Sequence, residues 1–312
     1  MIIVDAHCDT LSRIYDDKMD LMKNNFHVDI ERMQKYDGYV QFFAAFIDPA
    51  YCQAYAMRRA VQLIDKFYSQ AELYKDNISL CYDIDSVNAA LKERKIAAIL
   101  TIEGGDALQG DLAALRTFYK LGVRSLCLTW NYRNEIADGV EDSSSDRGLT
   151  YFGRVVVREM NSLGMIIDIS HISEKGFWDV IELSKAPVIA SHSNAKAICN
   201  HIRNLTDSQI IAIKDNGGVI GINFYPYFLN NTAHASVKNI IRHIEYIASL
   251  IGCDNIGIGA DFDGIDCTPL DISGVQDMYK VINELLRLNY TEKDVEKIAG
   301  GNFIRVISQV LR

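Results

Sequence analysis

Histidines and acidic residues stand at the ends of several apolar runs in this sequence. The first run ends in Val4-Asp5-Ala6-His7-Cys8-Asp9. In an extended strand, residues i and i+2 project to the same side, so we expect the imidazole of His7 and the carboxylate of Asp9 to lie together. Four more residues of these types follow other apolar runs: Glu103 before a Gly-Gly pair, His171, His192 and Asp261.

Each of these residues alone is weak evidence for a site, because a histidine at a strand end is more often structural and a lone acid often belongs to a turn or a helix cap. Their combination favours a metal site, since burying unpaired polar and charged groups together costs several kcal/mol each. Imidazole and carboxylate ligands without a thiolate suit Zn²⁺, and they also accommodate Mn²⁺, Fe²⁺ or Co²⁺.

The number of these groups predicts two metal ions rather than one. A single catalytic zinc takes about three protein ligands and keeps one open position. The charges of two zinc ions are balanced by Asp9, Glu103, an ionised Asp261 and a hydroxide. Two ions roughly 3.5–4 Å apart hold such a hydroxide between them and polarise the bond that it attacks.

The elements that position these residues are short, dense apolar runs. They are rich in β-branched residues and nearly continuous rather than alternating, which is typical of parallel strands covered on both faces. Eight such runs are present, at 2–6, 40–47, 96–102, 123–129, 165–170, 187–191, 218–224 and 256–260.

Helical patterns lie between the runs. One apolar stripe from Val237 to Ile251 recurs at helical spacing, and Thr206-Asp-Ser-Gln209 is a capping box that opens another helix. We expect further helices near 53–75, 108–121, 274–288 and 291–311.

Eight strands alternating with helices predict an α/β fold, a distorted (β/α)₈ TIM-like barrel that spans 1–312 as a single domain. An open doubly wound sheet is less favoured, because no glycine-rich phosphate turn follows the first strand. In a barrel, functional residues collect at the carboxyl ends of the strands, which is where the histidines and acids stand.

Composition excludes several classes of partner. The chain has 312 residues and a formal net charge of −9 without a basic stripe, so nucleic acid is not expected. Seven cysteines without a C-x-x-C pair indicate reduced thiols and a reducing compartment. The sequence has neither a signal-peptide pattern nor an apolar run near 18 residues, so we expect a cytoplasmic protein without a membrane partner.

These motifs, in this order, resemble those of the membrane (renal-type) dipeptidases, peptidase family M19, which includes soluble bacterial members. The resemblance covers essentially the whole chain. It rests on Asp5–Asp9, Ile102–Gly105, Ile167–His171, Pro187–Ser193, Arg203-Asn204, Gly221–Tyr225, Asp261–Gly264 and Gly300–Phe303.

The resemblance implies a binuclear zinc hydrolase, related to the amidohydrolases, that cleaves dipeptides with a free C-terminal carboxylate through a hydroxide bridging the two ions. By the same resemblance, His7 and Asp9 bind the first zinc, His171 and His192 bind the second, and Glu103 bridges both. Mn²⁺ or Co²⁺ could replace zinc. The tendency of the family to pair suggests a homodimer.

The resemblance also assigns residues that act on the substrate. Asp261 is expected to be the general acid/base rather than a metal ligand, moving a proton to the leaving amine. Arg203 is expected to meet the substrate carboxylate, since its planar fork donates two parallel hydrogen bonds to such a group. Tyr225, the last residue of its motif, is expected to bind substrate as well.

Trp130 departs from the pattern of the family. Animal members carry a histidine directly after the Leu-Thr that ends the fourth strand, where it is thought to steady the tetrahedral intermediate. An indole donates one N–H and cannot become cationic, so we expect altered specificity at this position, with Asn131 and Asn134 as nearby donor candidates. Equally, Trp130 could form an apolar wall of the pocket.

Some assignments stay open at the level of sequence. The polar stretch 131–151 is either a rim or lid over the metal pair or a solvated excursion. His27, His201, His234 and His243 receive no metal role. The chain could also be a related binuclear amidohydrolase acting on another amide, a lactone or a phosphoester, or a binding protein that kept the barrel; the complete set of ligand positions argues against the last of these.

Overall fold

Parallel strands form the centre of the structure. A computed structural model of the chain describes residues 1–51, 54–142 and 147–312. Within these ranges the strands are β1 (Ile2–Cys8), β2 (Gly38–Phe46), β3 (Ile78–Leu80), β4 (Ile96–Glu103), β5 (Val123–Cys127), β6 (Ile166–Asp168), β7 (Ile189–Ala190), β8 (Val219–Ile222) and β9 (Ile256–Ile258).

Eight of these strands close into a barrel. Strand β1 pairs with β2 and with β9, and β2 pairs with β4, so the cycle is complete without an edge. The predicted TIM-barrel α/β fold is therefore confirmed. Strand β3 was not predicted, because Ser79 interrupts its apolar residues and no dense apolar run surrounds it. It lies beside Ile96–Ala98 of β4, while β5 pairs with the second half of β4.

Several predicted runs extend beyond their strands. The run 187–191 contributes only two residues to the ladder, Ile189 and Ala190. The chain turns sharply soon after the ladders end, and His171 and Asp261 have positive φ angles of 65° and 62°. A left-handed backbone ends an extended strand and redirects the side chains that follow.

Helices lie between the strands and surround the barrel. They are α1 (Thr10–Asp16), α2 (Ile30–Met33), α3 (Ala56–Leu73), α4 (Ile84–Lys92), α5 (Leu112–Lys120), α6 (Tyr151–Leu163), α7 (Glu174–Leu183), α8 (Asp207–Asp215), α9 (Pro226–Asn230), α10 (Val237–Ile251), α11 (Met278–Arg287), α12 (Glu292–Glu296) and α13 (Asn302–Val310). The stripe that predicted α10 has the same bounds as the helix. The capping box is present at the start of α8, where Thr206 is the N-cap.

The predicted helix 291–311 is interrupted. A π-helical turn, Lys297–Gly301, separates α12 from α13. A β-carbon at Gly300 would lie 2.8 Å from Val4 Cγ2 and 3.0 Å from the Ile2 carbonyl, so the glycine allows this turn to pack against β1.

Alternation along β1 places the first candidate ligands. Val4 and Ala6 belong to an apolar cluster that includes Phe303 and Val306 of α13. His7 therefore projects from the opposite side of the strand, into the barrel. None of the described helices has both the length and the apolar character needed to cross a membrane.

Candidate metal centre

The barrel brings the five predicted ligands together at the carboxyl ends of its strands. His7 Nε2 lies 3.4 Å from Asp9 Oδ2 and 3.4 Å from Glu103 Oε2. The other oxygen of Glu103, Oε1, lies 3.1 Å from His171 Nε2 and 3.5 Å from His192 Nε2. The carboxylate of Glu103 thus stands between two pairs of candidate ligands, with one oxygen toward each pair.

Hydrogen bonds hold the rings of the second pair. Asn131 Oδ1 lies 2.7 Å from His171 Nδ1, and the amide of Asn131 donates to Glu141. Because the amide oxygen only accepts, it orients His171 as the tautomer protonated on Nδ1. The Nε2 atom of His171 is then left with a free lone pair.

His192 is held in the same tautomer by a chain of hydrogen bonds. The Ser191 hydroxyl donates to Asp168 Oδ2, so its oxygen accepts from His192 Nδ1 at 2.7 Å. Asp168 also accepts the backbone N–H groups of Ser170 and Ser191. Metal-binding histidines typically donate their second ring nitrogen to a partner of this kind.

These tautomers leave two bare nitrogens facing each other. His171 Nε2 and His192 Nε2 are 2.7 Å apart, with no proton available to join them. Across the described residues, His7 Nε2 and Asp9 Oδ1 are buried without a hydrogen-bond partner. Unpaired lone pairs in a buried site are costly unless a cation receives them, so the donor set fits divalent metal ions.

The described residues contain three sets of side chains whose ligand atoms lie within 4.8 Å of one another. One combines Glu103 with His171 and His192, and a second combines His7, Asp9 and Asp261. The third, His7 with Asp168 and His192, includes an acid that the sequence analysis did not select. Asp168 could have been noticed, because it directly precedes Ile-Ser-His171 at the end of a strand.

Asp261 is placed by a strained turn and a glycine. Its Oδ1 lies 3.9 Å from His7 Nε2, and its Oδ2 accepts a 2.8 Å hydrogen bond from Asn223 Nδ2. A β-carbon at Gly264 would collide with Oδ2 of Asp9 and Oδ1 of Asp261. Burial, together with the charges of Asp9 and Glu103, raises the pKa of Asp261 to about 7, although the nearby His7 acts in the opposite direction.

Burial also shifts the pKa values of the neighbouring ionisable groups. Burial, with the nearby charge of Glu103, raises the pKa of Asp9 to about 6. Burial also lowers the pKa of His192, and the surrounding positive charges add to this effect. The pKa shift of His192 favours its neutral imidazole, which is the form that binds a metal, and the pKa shift of Asp9 disfavours an isolated negative charge, since burial penalises both charged forms.

Arg203 borders a cavity of about 850 Å³ that Glu103 and Asp261 also line. Its side chain is buried and donates from Nη2 to the His192 carbonyl at 3.1 Å. Its Nε atom has no hydrogen-bond partner among the described residues. The guanidinium carbon lies 5.6 Å from the Phe228 ring centre, so an incompletely paired cation stands at the cavity wall.

Trp130 and Tyr225 line the same cavity. The Trp130 ring lies 5.5 Å from the Phe46 ring and 6.1 Å from that of His171, between ring centres. Tyr225 stands edge-on to Phe228 at 4.9 Å. The aromatic surroundings of Trp130 favour the interpretation of this residue as a wall of the pocket.

The two asparagines named as donor candidates differ in position. Asn131 lines the cavity and holds His171. The amide of Asn134 instead donates to the Leu128 carbonyl and to Asp106, and its oxygen accepts from the backbone of Ile136. Its amide and its oxygen are therefore both engaged in structural hydrogen bonds.

The stretch 131–151 is attached to the barrel where it is described. Val140 N donates to the His171 carbonyl at 2.9 Å, and Gly139 forms a bridge with Ile172. Residues 143–146, which belong to the predicted rim, lie outside the described residues. That the stretch 131–151 acts as a lid stays a prediction.

Comparison with known proteins identifies the family. The profile of the membrane dipeptidases, peptidase family M19, matches residues 1–312. The chain belongs to peptidase family M19. A dipeptidase from Claviceps purpurea (strain 20.1), tcpJ, is 35% identical over 298 residues, which cover 91% of this chain and 69% of that protein.

Solved structures of metallopeptidases share the fold along the whole chain. The metallopeptidase called dipeptidase AC has a TM-score of 0.93 at 28% identity and covers 100% of this chain and 99% of its own. A metallopeptidase from Rhodobacter sphaeroides, bound to a phosphinate mimic of L-Ala-D-Ala, has a TM-score of 0.91 at 28% identity, with 99% of each chain covered. The M19 chain described here is thus a metallo-dipeptidase by family, and amidohydrolase structures share its fold.

Proposed function

We propose that this M19 protein is a zinc-dependent dipeptidase that binds two metal ions per chain and cleaves dipeptides with a free C-terminal carboxylate. The observation that carries the proposal is the position of Glu103, whose two oxygens face different ligand pairs at 3.4 and 3.1 Å. His7 and Asp9 would hold one ion, and His171 and His192 the other.

When bound, such a pair of divalent cations polarises a peptide carbonyl and makes a water acidic enough to supply a nucleophile at neutral pH. Asp261 would accept a proton at Oδ1 and pass it to the leaving amine, while Asn223 holds Oδ2 in place. A carboxyl group with a pKa near the working pH serves both steps of such a transfer.

Arg203 would fix the other end of the substrate. Its guanidinium lies at the wall of the cavity with Nε unpaired, and a carboxylate would satisfy this cation. Trp130 and Tyr225 would flank the substrate as aromatic walls. The cavity volume of about 850 Å³ accommodates a dipeptide with its solvent.

The proposal is tested with purified protein by metal analysis and a dipeptide panel. We expect two equivalents of metal per chain, loss of turnover on chelation, and recovery on addition of zinc, manganese or cobalt. The panel should contain L,L and L,D dipeptides together with C-terminal amides of the same sequences. Metal-loaded protein that cleaves none of the dipeptides contradicts the proposal.

The alternative is a related binuclear hydrolase acting on another amide, a lactone or a phosphoester. It predicts that a free C-terminal carboxylate gives no advantage in turnover over the C-terminal amide, because Arg203 would then have no carboxylate to bind. The homodimer, the cytoplasmic location and the single domain spanning 1–312 stay predictions.

A further inference from the structure

A second cavity lies behind Arg203. Its volume is about 350 Å³, and its wall includes His171 and Arg203, which also line the larger cavity. The remaining wall comes from the segment after β7 and from the starts of α7 and α8, including Ser193, Lys196 and Asn204. The second cavity therefore adjoins the place where the substrate carboxylate is proposed to bind.

Several buried polar atoms around this cavity have no partner. Ser193 is 1% exposed and Arg203 is 5% exposed. In the described part of the chain, Ser193 Oγ makes no hydrogen bond, and neither does Arg203 Nε, which the substrate carboxylate is proposed to engage. Unsatisfied polar atoms in a polar cavity of this size indicate that a polar ligand completes their hydrogen bonding.

The charges on the cavity wall indicate that this ligand is negatively charged. Lys196 is half-buried and forms no ion pair within the described residues. Arg203 likewise has no carboxylate within ion-pair distance there, although the charges of Asp261, Glu103 and Asp168, none of which lines the second cavity, act on it. Glu174 is the acid among the lining residues, and it is exposed to solvent.

Two helices add to this positive potential. The N-cap residues Ser173 and Thr206, which begin α7 and α8, both line the cavity. The first backbone N–H groups of a helix carry a partial positive charge and attract anions. Two helix starts, a lysine and an arginine therefore surround a cavity that contains the unsatisfied buried hydroxyl of Ser193.

We propose that this second cavity is a carboxylate subsite. Its ligand is either the acidic side chain of a C-terminal aspartate or glutamate in the substrate, or a free small carboxylate that occupies the cavity beside Arg203. The first source rests on the proposed dipeptidase function, since it requires the substrate carboxylate to be bound at Arg203. The second does not.

The test for the substrate side chain compares isosteric dipeptides on the zinc-loaded protein. Ala-Asp and Ala-Asn differ in charge but hardly in shape, and both configurations of the C-terminal residue are included. We expect kcat/KM to favour Ala-Asp, and Lys196→Met to reduce this preference about tenfold, because it removes one charged hydrogen-bond partner. Lys196→Arg should restore the preference.

Two further variants serve as controls. Glu174→Gln removes the negative charge at the cavity wall and should increase the preference for Ala-Asp. Lys185→Met removes an exposed lysine that lines neither cavity, and it should leave the ratio unchanged. Opposite effects at Glu174 and Lys196 would not follow from a general loss of stability.

The test for a free carboxylate uses melting temperature, which does not depend on turnover. Acetate or succinate, at constant ionic strength, should stabilise the wild type but not Lys196→Met. If kcat/KM is the same for Ala-Asp and Ala-Asn and neither acetate nor succinate raises the melting temperature, the subsite proposal is wrong. A rise in melting temperature without a preference for Ala-Asp assigns the subsite to a free carboxylate. Absence of hydrolysis of every dipeptide contradicts the dipeptidase function, and the melting experiment still decides the subsite.

Discussion

The hydrogen-bond chain from Asp168 through Ser191 to His192 should control zinc affinity. Ser191→Ala removes the acceptor of His192 Nδ1, which lies at 2.7 Å, and the hydroxyl that donates to Asp168. His192 then loses the contact that selects its tautomer and ring orientation. Asp168 keeps its two backbone N–H donors, each at 3.0 Å, so the strand end should remain folded.

The size of the effect follows from the role of such partners at metal sites. Removing the group that orients a metal-binding histidine typically weakens metal affinity by about 10- to 100-fold, or roughly 1.4–2.7 kcal/mol. Because His192 belongs to one of the two ligand pairs, the loss should appear in one of two zinc-binding steps. Asn131→Ala should act on the same step through His171.

Zinc affinity is measured by competition with a chromophoric chelator, on protein whose melting curve shows a folded state. Ser193→Ala is a matched control, since it removes a buried hydroxyl from the same strand end without a bond to either histidine. Zinc binding by Ser191→Ala within twofold of the wild type would refute the assigned orientation of His192.

Three further predictions concern the substrate and stability. Asp261→Asn should lower kcat by about 10²- to 10⁴-fold, the usual contribution of a general acid/base, while metal analysis still finds the wild-type content. Arg203→Ala should reduce kcat/KM selectively for free acids, and equal losses on C-terminal amides would contradict its role. His243 is buried between Leu229 and Ala195, and burial lowers its pKa to about 4 from 6.5. As the pH falls, the unfolded chain binds a proton at His243 before the folded chain does, so the free energy of unfolding should fall by about 3 kcal/mol between pH 6.5 and 4. Chemical denaturation of His243→Asn at several pH values should show a shallower fall.

The barrel was largely predictable because its signal is local. Continuous apolar runs mark strands buried on both faces, and all eight predicted runs overlap barrel strands. Strand β3 escaped prediction because Ile78–Leu80 contains Ser79 and does not belong to a continuous apolar run, unlike the equally short strands β6, β7 and β9. The break in the final helix escaped for another reason: Gly300 is required by contact with β1, which lies almost the whole chain away.

The candidate ligands were chosen from residue type and position at strand ends, and the structure brings all five together. Asp168 and Ser191 were not selected, since a serine and an aspartate beside a strand have many ordinary uses. Their relation to His192 becomes visible only when β6 and β7 lie side by side.

By itself, the sequence determined which side chains could bind metal, because residue type sets ligand chemistry and alternation along a strand sets direction. The tertiary structure decided how those side chains cooperate. The two oxygens of Glu103 face different pairs, and the ring nitrogens of His171 and His192 are chosen by partners from other segments. Hydrogen bonds between distant segments depend on how strands pair and loops return, and no local pattern records those distances.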